Sequence, residues 1–141
     1  MDKKSTIYQL LEAQNLDNTD KSCLVDLEDR SLSYGDLFNQ INYIIRQLQG
    51  LGLTKEDKIA IALPNGVNMA VAFLGVASTG ICCPLNPHYR GPEFEFYLSD
   101  LNAKALITQD GIAPVAIAIA ENYRSKLSNL TPAPTNQEFS P

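Results

Sequence analysis

The side chains that could take part in chemistry gather in "ICCPLNPHYRGPEFEFYLSDL", Ile81 to Leu101: two adjacent cysteines, the chain's one histidine, an arginine and three carboxylates. Glu93, Glu95 and Asp100 are the kind of set on which a glycosidase or a metal centre draws. Two of them fall in the first turn of an expected helix, however, where the macrodipole favours negative charge, and that structural reason suffices. Asp100, near the other end, reads as solvated surface. His88 follows Asn86-Pro87 at a strand-to-helix turn, the kind of place where α/β folds bind ligands. No nucleophilic Ser or Cys and no orienting carboxylate is tied to it by a motif, so it reads as a loop residue. Arg90 reads as a turn-anchoring or surface charge.

Phosphate-binding chemistry would need a backbone cradle. The chain has neither GxGxxG after a first strand nor GxxxxGK[ST]. "LPNG", Leu63 to Gly66, does place free backbone N–H groups at a helix start, which by itself attracts anions only weakly. Cys23, Cys82 and Cys83 make neither a disulfide framework nor a metal-ligand spacing and fit a reducing compartment. Adjacent strand residues point to opposite faces, so Cys82 and Cys83 are expected to fill small apolar holes on the two sides of a buried sheet. Phe94, Phe96, Tyr97 and Tyr123 lack interleaved basic residues and read as core or interface. Local chemistry alone therefore identifies no catalytic, cofactor-binding or metal-ligating residue.

The elements around these residues are legible from periodicity. Lys4 to Asn15 reads as an amphipathic helix with Ile7, Leu10 and Leu11 on one face and Ser5 as its N-cap. "SCLVDLEDRSLSY" reads as a hairpin: a strand from Cys23 to Leu27, a turn at Glu28-Asp29-Arg30 and a return through Leu32. Ser33 can cap the next helix, Tyr34 to Leu51, in which Leu37, Ile41, Ile44, Ile45 and Leu48 recur at helical spacing. Then follow a strand from Lys58, a helix from Val67 to Gly80, the strand "ICCPL", a helix "GPEFEFYLSDL" with Pro92 in its first turn, a strand from Lys104 to Thr108 and a helix from Ile112 to Leu127. Helix and strand alternate as in a parallel α/β sheet with right-handed crossovers. From Thr131 the prolines and polar residues of "TPAPTNQEFSP" read as a loop or linker tail, giving a division into residues 1–130 and 131–141.

With 141 residues the chain has the length of one domain, which folded alone would bury about 70% of its unfolded surface. A formal charge of −5 with scattered basic residues argues against nucleic acid as a partner. The N-terminus has no secretory pattern, and the cytoplasm is the expected compartment. Between Lys58 and Arg90 there is no Asp, Glu, Lys or Arg, although the span holds two strands and a whole helix. A crossover helix on a lone domain shows water a charged face. Pro64, Asn65, Gly66 and Asn68 interrupt the run, which excludes a membrane span. The uncharged helices are therefore expected to be buried on more than one side, with this chain as a piece of a larger architecture.

The ordered set Leu32-Ser33-Tyr34, Gly50 to Gly52 with Asp57-Lys58, Leu63-Pro64-Asn65, and Pro84-Leu85-Asn86-Pro87 followed by Glu93 and Leu98 resembles the opening of the adenylate-forming (AMP-binding) enzymes. The resemblance spans Ser5 to Leu127, and "EFEFYLSD" looks closest to the oxalate-CoA ligase-like branch of acyl-CoA synthetases. Where most members have a lysine before the helix-ending glycine, this chain has Ser78-Thr79-Gly80. The resemblance implies the first part of the large N-terminal domain of an enzyme that activates a carboxylate with ATP and Mg²⁺ and passes the acyl group to a thiol such as coenzyme A. It further implies that the nucleotide, acyl and thiol elements lie in later stretches, so no site residue is carried over and the chain alone is expected to be inactive. A rival reading is a non-catalytic interaction module that pairs with a complementary chain through its exposed apolar helices, and in either case the isolated chain is expected to self-associate through apolar surface. A receiver- or flavodoxin-like regulatory domain is disfavoured, because no acidic pair follows the first parallel strand.

Overall fold

A computed structural model describes residues 5–122 and 129–130, in the order α1 (Ile7–Asn18), β1 (Ser22–Val25), β2 (Ser31–Ser33), α2 (Tyr34–Gly50), β3 (Lys58–Ile61), α3 (Val67–Ala77), β4 (Ile81–Pro84), α4 (Gly91–Leu101), β5 (Ala105–Ile107), α5 (Pro114–Asn122) and β6 (Asn129–Leu130). Lys4, the end of the last expected helix from Tyr123 and the tail from Thr131 lie outside the described residues.

The strands form an antiparallel pair, β1 with β2, and a parallel sheet in the order β4-β3-β5-β6. Period two divides the parallel strands between two cores. Ile59, Ile61, Ala105 and Ile107 join Leu37, Ile41, Ile44 and Leu48 of α2 and Val71, Ala72 and Val76 of α3. Ala60, Ala62 and Leu106 face the other way, onto Phe94 and Leu98 of α4 and Ala116 and Ala120 of α5. The chain moves outward from β3 to β4, then back past β3 to β5. With one handedness for both crossovers, that reversal must put α3 and α4 on opposite faces, as observed.

Capping decides where the helices begin. Ser33 accepts the Asp36 N–H at 3.1 Å and starts α2 as expected. The first helix begins later than its periodicity suggests. Thr6, not Ser5, is its N-cap, because Thr6 Oγ1 accepts the Gln9 N–H while Gln9 Oε1 accepts the Thr6 N–H, a reciprocal box. The apolar face expected there is also mostly wet: Ile7 and Leu10 are exposed, and of the three only Leu11 packs against the core. Hydrophobic residues at helical spacing mark a potential face, and here only a narrow strip meets α2.

The first hairpin turns over a wider span than Glu28-Asp29-Arg30. Asp26 Oδ1 accepts the N–H groups of Glu28 and Arg30, and Asp29 takes φ 59°, which closes the strands at Val25 and Ser31. The pair leans on α2 through Leu24 and Leu32, so α2 lies between this small sheet and α3.

Cys82 and Cys83 require a correction. They sit in a strand and alternate as expected, with Cys82 against the α2–α3 core, but β4 is the edge of the described sheet and both thiols are only partly buried. Adjacency in sequence specifies opposite faces; it does not specify the strand's place in the sheet. β6, two residues long, had no apolar alternation from which it could be read.

Candidate functional site

The crevice that a parallel sheet offers lies outside the carboxyl ends of its strands, where consecutive crossovers depart to opposite faces. Here that point lies between β3 and β5, which are neighbours although β4 separates them in sequence. Three connections meet at this end of the sheet: Leu63 to Gly66, Leu85 to Arg90, and Thr108 to Ala113.

The first connection is held by backbone. The Ala62 N–H donates to the Ile107 carbonyl at 2.9 Å, and Thr108 Oγ1, almost fully buried, donates to the Ala62 carbonyl at 2.9 Å, so the end of β3 is tied to the end of β5. Gly66 then takes φ 153°, a conformation open mainly to glycine, and α3 starts with no side-chain cap. Its first N–H groups are the free donors expected from "LPNG". Across the crevice the Asn68 side-chain N–H₂ reaches Gln109 Oε1 at 3.4 Å, a long contact.

The second connection carries the residues singled out from the sequence. Asn86 Oδ1 accepts the His88 N–H at 2.9 Å and its carbonyl accepts the Tyr89 N–H, so Asn86-Pro87 makes a side-chain-supported turn that leaves His88 exposed. Glu93 Oε2 accepts the Arg90 backbone N–H at 2.8 Å, which accounts for this carboxylate as a helix-start device. Glu95 and Asp100 are exposed on the same helix, and the described residues hold no group of three or more His, Cys, Asp or Glu placed for a metal ion. The aromatics divide: Phe94 is buried, Tyr89 stacks on Tyr97 at 5.2 Å and 16°, and Phe96 is exposed against the edge of Tyr97. Burial pushes the Tyr89 phenol above its ordinary range, followed by its hydrogen bond with Tyr97.

The hydrogen bonds across the switch point join only neutral groups, Asn68 with Gln109 and Thr108 with the Ala62 carbonyl, and the charge that follows on the third connection is the carboxylate of Asp110. Sequence reasoning passed over Thr108 and Gln109, since only the pairing of β3 with β5 brings them beside Asn68. Neutral amides can hydrogen-bond a ligand but cannot balance the charge of a triphosphate and its Mg²⁺. This donor set does not fit a nucleotide–metal group by itself. The cysteines offer no nucleophile: burial, followed by the neighbouring Cys83, pushes the Cys82 thiol up to about 11, and burial raises those of Cys23 and Cys83.

An open α/β sheet with a switch point but no charged constellation defines a structural part of a ligand-binding fold. The AMP-binding enzyme family matches residues 11–138, and the chain belongs to that family. It is similar to the oxalate–CoA ligase of Saccharomyces cerevisiae, 33% identical over 95 residues, which cover 62% of this chain and 18% of the ligase. It is 31% identical to the probable CoA ligase CCL9 of Humulus lupulus over 124 residues, 87% of this chain and 23% of that protein. With surfactin synthase subunit 1 of Bacillus subtilis it shares 30% identity over 109 residues, 77% of this chain and 3% of the synthase. The chain therefore spans less than a quarter of the length of these relatives.

Among solved structures, a benzoate CoA ligase from Burkholderia xenovorans LB400 superposes with TM-score 0.78 at 19% identity, over 91% of this chain and 26% of that one, a likeness of fold. The N-terminal domain of FACL13 from Mycobacterium tuberculosis superposes with TM-score 0.77 at 25% identity, over 91% and 34%. The expected fold class is thus borne out: the parallel sheet with crossover helices and the N-terminal hairpin match the N-terminal domain of FACL13.

Proposed function

We propose that this chain serves as the opening segment of an ATP-dependent acyl-CoA ligase, an enzyme that joins a carboxylate to AMP and then transfers the acyl group to coenzyme A. The observation that supports this reading is the family match over residues 11–138, together with CoA ligases among the relatives. In this reading residues 1–130 are an incomplete portion of the adenylate-forming domain and 131–141 lead out of it. The chain's own part is that of scaffold: α2 to β5 build one face of the ligand crevice, and no residue of this chain reacts. ATP, Mg²⁺ and coenzyme A would be held by groups of the larger enzyme, because the neutral switch-point amides do not fit the phosphates alone. Three free thiols suit a cytoplasmic setting, and no helix among the described residues is long and apolar enough to cross a membrane.

The second reading, a non-catalytic module that pairs with a complementary chain, is favoured by one observation. Phe73 of α3, which has no charged residue, and Val115 of α5, which has one, stand exposed, as does Phe96 among the carboxylates of α4. Carboxylate-dependent ATP–pyrophosphate exchange separates the two. The ligase reading expects exchange from the longest reading frame that contains this sequence and none from the 141 residues alone. Exchange by the 141-residue chain would overturn the assignment of the chemistry to other segments. Absence of exchange from the longer frame across a panel of carboxylates would favour the module.

A further inference from the structure

Among the described residues no strand pairs with the outer edge of β4, which lies in the least charged stretch of the chain, where charged side chains would ordinarily discourage edge-to-edge pairing. None lies between Lys58 and Arg90. Ile81, at 40% exposure, adds a sticky side chain to it.

The hydrogen bonds show what replaces the charges. In a parallel ladder the N–H and C=O of alternate residues point the same way. The Ile81 N–H donates inward to the Asp57 carbonyl at 2.9 Å and the Leu85 N–H donates inward to the Ile61 carbonyl at 2.8 Å, with Cys83 opposite Ala60 between them. The outward positions are therefore Gly80, Cys82 and Pro84. The Gly80 N–H is already given to the Val76 carbonyl at the end of α3, at 2.7 Å. Pro84 has none. An incoming strand would find one donor, that of Cys82, along the whole edge.

We propose that Pro84 and the Gly80–Val76 hydrogen bond together strip the β4 edge of donors for strand addition, so that self-association of the 141-residue chain by sheet extension is suppressed at β4. The two contribute differently. The Gly80 bond ends α3 and starts β4 as part of the fold; glycine is required there because a Cβ would lie 2.8 Å from Ile59 Cδ1 and 3.2 Å from the Asp57 carbonyl oxygen. Pro84 is the last residue of the strand and partly open to solvent, so replacing it leaves the core untouched.

The test is Pro84→Val in the full 141-residue chain, which restores the donor on a side chain that favours strands. Sedimentation velocity should show association tightened about tenfold or more, as one or two added backbone hydrogen bonds per contact imply. Amide exchange should slow at Cys82 and Val-substituted position 84, and adding Ile81→Lys should reverse both effects. Pro84→Ala, with the donor but lower strand preference, should fall between the parent and Pro84→Val, and it stands in should the valine variant lose its circular dichroism spectrum. Unchanged association in a folded Pro84→Val or Pro84→Ala variant would overturn the proposal. So would tighter association whose exchange protection lies on α3 or α5 instead of β4.

Discussion

At the scale of single residues, the side chains that suggest chemistry in the sequence are engaged in making turns and helix starts. Glu93 caps α4, Asn86 shapes the turn that holds His88 out in water, and Asp26 gathers the amides of the first hairpin. Each of these bonds satisfies a backbone donor that the local geometry leaves open. The thiols are quiet for a related reason. Burial disfavours the thiolate of Cys82 and takes its value from the ordinary 9.0 to about 11. The folded chain holds this proton more tightly than the unfolded one, so the contribution to stability is complete below pH 9 and is lost as pH rises through 9 to about 11. Alkylation by iodoacetamide at pH 8, followed by peptide mass spectrometry, should label Cys82 at least about tenfold more slowly than the same residue in urea. Equal rates would show that the edge strand opens freely.

At the scale of elements, the packing of α2 on α3 shows how a small residue sets a helix contact. Gly75 lies inside α3, and a Cβ there would meet Ile44 Cδ1 at 2.9 Å, Cγ2 at 3.0 Å and Cβ at 3.1 Å. Alanine would gain about 1 kcal/mol in helix propensity, while overpacking costs about 1–3 kcal/mol. The Ile44 Cβ cannot rotate away, so the clash prevails. Gly75→Ala should lower stability by about 1 kcal/mol in urea denaturation, and combining it with Ile44→Val should cost less than the sum of the two changes. The extent of α2 and its Ser33 cap were legible beforehand, because periodicity and capping act within a few residues, whereas α1 starts and ends three residues later than its periodicity suggests. Which helical glycine lies against which isoleucine was not, since that depends on a crossing between segments some thirty residues apart.

At the scale of the whole molecule, two apolar cores back a four-stranded sheet while Phe73, Phe96 and Val115 face outward. The long uncharged run in the sequence anticipates the exposure of Phe73, while Phe96 and Val115 lie beyond it. The chain spans a quarter to a third of the solved structures it resembles. In the isolated chain they should bind an environment-sensitive dye such as ANS, and Phe96→Ser with Val115→Ser should reduce that fluorescence by about half or more with stability changed by less than about 1 kcal/mol. Fluorescence that the double variant leaves intact would place the sticky surface elsewhere.

The candidate site was legible in part for the same physical reason. "LPNG" and "LNPHYR" identify two strand-to-helix connections by local turn chemistry. Thr108 and Gln109 escaped notice, because their role comes from β5 lying beside β3, with β4 displaced to the edge. By itself the sequence determined the succession of elements, the faces of the strands and the family, all of which follow from short-range periodicity, caps and an ordered set of motifs. Only the tertiary structure decided the strand order, and with it which residues share the switch point and which edge lies open. Those depend on long-range pairing, where the direction of each crossover is chosen by packing on the sheet and leaves no mark in the local pattern.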